Sequence, residues 1–210
     1  MAKQRQEERR NQILWAAMTC VAEAGIEGAT LKAIARRAGV STGTIAYYFR
    51  DKNDVMEQAL AFGHHLLGER MSLLTGPAPG LSRIEAVFQV NIVEKYPDVP
   101  PLSFWLEYWA HSSRDGELRS FREGRMARFR RNLAASVQAA IDAGDLREDL
   151  DPLFVADLLA ALEDGLQLKV AIDSSNVSPE RAMQVYRRLI DLLRPPSESL
   201  ALREKAAALA

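Results

Sequence analysis

Residues 30–49 read TLKAIARRAGVSTGTIAYYF, and this stretch decides the fold. Thr30 is a good N-cap for a short helix over Leu31–Ala38, which Gly39 closes. Ser41 caps a second short helix over Thr42–Tyr48. Four residues, Ala38-Gly39-Val40-Ser41, join the two, which is helix-turn-helix spacing. Ile34, Ala35, Val40 and Ile45 are placed to pack both helices on a preceding one. The second helix opens with Thr42-Gly43-Thr44, small and polar, so its front end can approach DNA closely. In such motifs the first residues of the second helix meet base edges in the major groove. Thr42 and Thr44 offer hydroxyls and methyls for that reading. Tyr47 and Tyr48 are long enough to reach phosphates. Lys52 adds a cation at the start of a further helix, where the dipole end is also positive. Thr30, Lys32, Arg37, Ser41 and Gly43 complete the expected DNA-binding set.

Outward from this motif the pattern stays helical. Ile13, Leu14, Ala17, Met18 and Val21 recur at three-to-four spacing, and Gly25 stands where a helix end favours a left-handed residue. Asp51 caps a helix from Lys52 to about Leu74. Gly76-Pro77-Ala78-Pro79-Gly80 breaks the chain. Ser82 and Glu85 have capping-box spacing, which predicts a helix running to about Glu94. After Pro97, Pro100 and Pro101 come helices over Leu102–Ser113 and from about Glu117 to Ala143. Asp151-Pro152 and Ser178-Pro179 are each an N-cap followed by proline at the first helical position, opening helices of roughly 152–172 and 179–193. No convincing strand alternation or internal repeat is present. The fold class expected is all-α, about nine helices: an N-terminal three-helix DNA-binding domain over 1–52, a larger helical body over 53–194, and a tail over 195–210.

The chain has 210 residues, 48% of them apolar and 26% charged, which excludes wholesale disorder. The net charge of −1 hides an asymmetry. Residues 1–56 hold nine basic and six acidic groups, a surplus of three; the remaining 154 hold 18 and 22, a deficit of four. A basic head on an acidic body is the pattern of a protein whose head alone meets a polyanion. The single Cys20 leaves no internal disulfide and no cysteine-built zinc site, and fits a reducing compartment. No apolar run approaches the roughly 20 residues that span a bilayer, and the charged N-terminus has no signal-peptide core, so no membrane partner and a cytoplasmic location are expected.

The segment IARRAGVSTGTIAYYFRDKNDV closely resembles the DNA-binding signature of TetR-family transcriptional regulators, and ILWAAMTCVAEAG resembles that family's first helix. FWLEYWAHSSRDGELR and ALEDGLQLKVAI resemble the ligand-binding domain of the BetI-type branch, named for a choline-responsive repressor. The resemblance implies a homodimer whose body binds a small-molecule effector and whose two heads bind an inverted repeat in double-stranded DNA.

The body offers candidates for both roles. Phe104, Trp105, Tyr108 and Trp109 cover one broad side of their helix, which suits core packing or, beside a proline-rich entrance, a pocket wall. The expected effector set is Phe62, His65, Phe88, Asn91, Trp105, Tyr108, Trp109, Glu163 and Gln167. Aromatic rings with an acid suit an organic cation. The helix near 152–172 is apolar around most of its circumference and must be covered on more than one side. Phe154, Leu158, Leu159 and Leu162, with Val185, Leu189 and Leu192 on the last helix, are the expected dimer interface.

Competing classes fit less of the sequence. His65 and Glu69 stand one turn apart beside His64, but His111 is the only other histidine and no HExxH pattern exists, so no metal site, cofactor or catalytic residue is assigned. No phosphate-binding glycine loop or GxSxG elbow marks an enzyme. An interaction-only helical adaptor accounts for the apolar helices and not for the DNA-reading head. The arginines at 119, 122, 125, 128, 130 and 131 read as a solvated helix face rather than a second nucleic-acid surface.

Overall fold

The computed structural model describes residues 2–76, 79–93, 96–114, 116–173 and 175–196. Among them are nine α-helices and no strand. In chain order they are α1 (Ala2–Gly28), α2 (Leu31–Ala38), α3 (Thr42–Tyr48), α4 (Lys52–Thr75), α5 (Leu81–Phe88), α6 (Leu102–Ser112), α7 (Gly116–Asp142), α8 (Pro152–Ile172) and α9 (Pro179–Leu193). The all-α class and the helix order read from the sequence are the ones observed.

The caps explain most boundaries. The Thr30 hydroxyl accepts from the Ala33 N–H at 3.1 Å, and the Ser41 hydroxyl from the Thr44 N–H at 3.0 Å. Gly39 adopts φ 63° and ψ 35°, and the Val40 N–H returns to the Ala35 carbonyl at 3.0 Å, a Schellman-type stop. Asp51, Asp151 and Ser178 cap α4, α8 and α9 as expected. The capping box at Ser82 and Glu85 is not formed. The helix begins two residues earlier, with Gly80 (φ 139°) as its N-cap and no side-chain cap bond. Ser82 therefore lies inside the first turn and is exposed, while Glu85 pairs with Arg187. After Phe88 the helix widens into a π-helical turn over Gln89–Val93.

The chain forms two compact units. The first comprises residues 1–70 and 95–125, the second 71–94 and 126–210. In the first, Ile13, Leu14, Ala17, Met18 and Val21 of α1 are buried with Ile34, Ala35 and Ala38 of α2, Ile45 of α3, Val55, Met56 and Leu60 of α4, and Phe104, Trp105 and Tyr108 of α6. Helix α6 joins the DNA-reading helices in this core by packing along α1. In the second unit, Phe88 stacks on Tyr186 at 4.3 Å, and Val155, Leu159, Met183 and Ile190 are buried. The Arg147 N–H donates to the Leu193 carbonyl at 3.0 Å and ties the α7–α8 loop to the end of α9. The tail over 197–210 lies outside the described residues.

Candidate nucleic-acid interface and effector site

Helices of eight and seven residues are too short to persist alone. The DNA-reading pair is held from three sides. Gln12 of α1 donates to the Ala38 carbonyl at 2.8 Å, at the end of α2. Arg37 pairs with Glu23 on the surface. Beyond α3, Asp54 accepts from the Arg50 backbone N–H at 2.9 Å and from Gln58 at 2.6 Å, and Gln58 accepts from Arg10. Burial works to raise the Asp54 pKa, but these hydrogen bonds and the Arg50 charge outweigh it and hold the carboxyl below its ordinary value. This Asp54–Gln58–Arg10 chain links α4 to α1, and sequence reading missed it. Its residues carry no motif, because the partners are 48 positions apart.

What remains open to a partner is the front and outer side of α3. Thr42 and Gly43 are exposed, and Tyr47 is 74% exposed. Thr44 is half-buried, and its hydroxyl lies 2.9 Å from that of Ser41. Each hydroxyl keeps capacity for a further bond. A Cβ on Gly43 would meet nothing of this chain closer than the Ser41 hydroxyl at 3.6 Å, so the fold itself does not demand glycine there. Tyr48 is half-buried against Tyr47, ring edge to face at 5.1 Å. Lys32 is exposed on α2. Thr30 is exposed, with its hydroxyl engaged in capping. Lys52 is held internally: its ammonium donates to the Ile26 carbonyl at 2.7 Å, at the last turn of α1.

The structure divides the expected effector residues between the two units. In the first, Trp105 and Tyr108 are buried, and Phe62 and Trp109 pack on the same cluster. Trp105 meets Phe104 and the His64 ring edge-on, the latter at 4.7 Å. His65 is exposed. His64 instead is the buried histidine: its Nδ1–H donates to the Leu60 carbonyl at 2.9 Å, and burial, with the charge of Arg125, pushes its pKa down to about 4. In the second unit, Glu163 is 5% exposed, accepts from Gln167 and bonds Asn91, which the π-helical turn carries. Burial first, and then the charge of Asp164, pushes the Glu163 pKa up to about 8. Phe88 lies in this unit, stacked on Tyr186, an aromatic the sequence reading did not single out. Among the described residues no three His, Cys, Asp or Glu side chains gather as a metal site.

On α8 the exposed positions include Phe154 (66%), Leu158, Ala161, Gly165, Leu168 and Ile172 (68%). Leu162 is half-buried. Leu159 is fully buried within the chain, which corrects its assignment to a dimer face: it sits one residue round the helix from Leu158 and points into the core. On α9, Leu192 is exposed, and Val185 and Leu189 are half-buried.

An exposed helix-turn-helix braced on a third helix, carried with a separate helical unit, is the build of a DNA-binding regulator. Residues 13–59 match the model of bacterial regulatory proteins of the tetR family, and residues 81–195 match that of the BetI-type transcriptional repressor C-terminal domain. The HTH-type transcriptional regulator BetI of Burkholderia cenocepacia (strain HI2424) is 31% identical over 192 residues, 89% of this chain and 94% of that protein. A TetR-family transcriptional regulator from Rhodococcus sp. superposes with a TM-score of 0.79 at 27% identity, over 90% of this chain and all of that one. A transcriptional regulator from Saccharomonospora viridis, solved in complex with choline, superposes with a TM-score of 0.76 at 25% identity, over 88% and 96%. The chain belongs to the TetR family of transcriptional regulators, with a C-terminal domain of the BetI type. It is not an enzyme.

Proposed function

We propose that this regulator is a homodimeric repressor that holds an inverted-repeat operator and is released from it by an organic cation. The observation that carries the reading is α3, capped, braced and exposed at Thr42-Gly43-Thr44 within the segment that matches the family. Residues 1–52 read DNA, through the side chains named above at positions 30–52, and 53–194 carry the effector and dimer functions. The dimer reading is supported by the α8 stripe Phe154, Leu158, Ala161, Gly165, Leu168 and Ile172, whose 4-3-4-3-4 spacing is that of a helix–helix seam. Leu192 on α9 extends it. Among the described residues no helix is long and apolar enough to cross a membrane, so this exposed stripe is not a membrane span.

The effector reading centres on Glu163, with Asn91 and Gln167 as its hydrogen-bonding neighbours. Choline bound to a structural relative supports a quaternary ammonium as the ligand class. A carboxyl with a pKa near 8 is protonated at neutral pH, so taking up a cation there releases a proton. Choline affinity should then rise up to about tenfold per pH unit below 8 and level off above it. Fluorescence anisotropy of a duplex from the chain's own upstream region, titrated with choline at pH 6.5, 7.5 and 8.5, tests both parts. Release at none of these pH values removes the cation. Absence of salt-dependent binding to the duplex removes the operator reading.

A further inference from the structure

We infer that the N-terminal turns of α1 form a second DNA contact, in which Lys3, Arg5 and Arg9 hold the phosphate backbone beside the groove that α3 enters. The inference rests on the DNA-binding reading of α3. These residues precede position 13, where the family match begins. Helix α1 continues without a break from Ala2 into the segment buried in the core. Its early turns are therefore fixed in direction relative to the helix-turn-helix.

Two hydrogen bonds set which way they face. Gln6 donates to the Tyr47 hydroxyl at 3.5 Å, and Tyr47 is the most exposed aromatic of α3. Gln12 donates to the Ala38 carbonyl at the end of α2. Residues three, four and seven apart share a helix face. Lys3, Gln6 and Arg10 thus form one row beside α3, and Arg5, Arg9 and Gln12 form another leading to α2. The two rows flank the reading helix. Glu8, three residues after Arg5, lies on the outer edge of the second row, away from Gln6. Glu7, one turn after Lys3, forms no ion pair with it among the described residues, and neither Lys3 nor Arg5 has an acidic partner among them. Lys3, Arg5 and Arg9 are exposed, Arg9 donating to the Gln12 side chain at 2.9 Å on the surface. Arg10 is not part of the contact: it is engaged by Gln58 and lies over the Phe49 ring at 5.9 Å. Exposed cations aligned with a reading helix match a polyanion that runs past that helix. The same duplex supplies one.

The test uses the full chain and two duplexes: one enriched from a random pool by the wild-type protein, and one unrelated. Binding is followed by anisotropy across a salt series. The triple variant Lys3→Gln, Arg5→Gln, Arg9→Gln keeps helix-compatible side chains. It should weaken both duplexes by a similar factor and make the log–log salt slope shallower by about 2 to 3 units per head. Its preference for the enriched duplex should be unchanged. The charge-preserving variant Lys3→Arg, Arg5→Lys, Arg9→Lys should restore the slope. An unchanged slope in the neutral variant overturns the contact while leaving the α3 reading intact. Equal loss in the charge-preserving variant also overturns it, because the residues would then act through shape. A wild-type protein that binds neither duplex overturns both readings.

Discussion

The DNA-reading helices and the helix that carries the apolar stripe are built on opposite plans. Helices α2 and α3 are short, closed at both ends by local hydrogen bonds, and apolar on one side only. Each position therefore has one place to go. Helix α8 is long and apolar over most of its circumference, and Leu158 and Leu159 differ only in which way they point. In α2 and α3, residue type predicts which side is buried. In the body, location depends on what the rest of the chain covers.

The largest test of that contrast is on α8. Leu159→Glu should unfold the protein, since a carboxylate forced into a fully buried apolar site costs several kcal/mol unless paired. Phe154→Glu, on an exposed position of the same helix, should yield a folded monomer whose melting falls only by the lost dimer linkage and no longer depends on protein concentration. Sedimentation and thermal melts on both variants check this. A folded Leu159→Glu monomer would reverse the two assignments.

The two buried titratable groups give the next effect, one in each unit. Glu163 has a folded pKa above its ordinary value, so its contribution to stability is full below about 4.5 and is lost as pH rises towards 8. His64 has a depressed pKa, so its contribution is full above about 6.5 and is lost as pH falls towards 4. The terms oppose each other below 6.5, and above it only the Glu163 decline remains. Urea unfolding from pH 6.5 to 8.5 should show falling stability in the wild type and a flatter profile in Glu163→Gln. Equal slopes in the two proteins would mean that Glu163 ionises freely in the folded state.

Lys52 comes next. Its ammonium ties α4 to the last turn of α1, so Lys52→Ala should cost about 1.5–3 kcal/mol of stability, the range for hydrogen bonds to charged groups. The salt slope of DNA binding should hold. A slope reduced by about one unit would show that the ammonium leaves the Ile26 carbonyl for a phosphate. Smallest is Gly43→Ala. With open space for a Cβ, it should raise stability by up to about 1 kcal/mol through helix propensity. Operator affinity should fall, because DNA rather than protein fills that space. Unchanged affinity in the gel shift would remove the close approach of α3 to the groove.

The failures of sequence reading follow the same division. The caps at Thr30, Ser41, Asp51, Asp151 and Ser178 were legible because a cap is a bond between a side chain and a backbone group two or three residues on. The Ser82 and Glu85 spacing was equally good, yet the chain entered the helix through Gly80, whose positive φ lets the turn begin two residues sooner. The π-helical turn at Gln89–Val93 had no local signature, although it carries Asn91 to Glu163. The aromatic side of α6 was legible as a cluster. Only the fold showed that Trp105 and Tyr108 are closed into the core with α1 and α4.

By itself the sequence determined the all-α class, the helix order and the residues that α3 presents, because those depend on apolar periodicity and on bonds a few positions long. The tertiary structure alone decided that Leu159 faces inward while Leu158 does not, and that Lys52 holds the Ile26 carbonyl. It alone decided that Arg10 reaches Gln58 and that Glu163 is buried away from water. Each of these depends on atoms brought together from 25 or more positions away, or on which of several apolar sides of a helix is covered. A helix that is apolar nearly all round carries no mark of its own to say which side that will be.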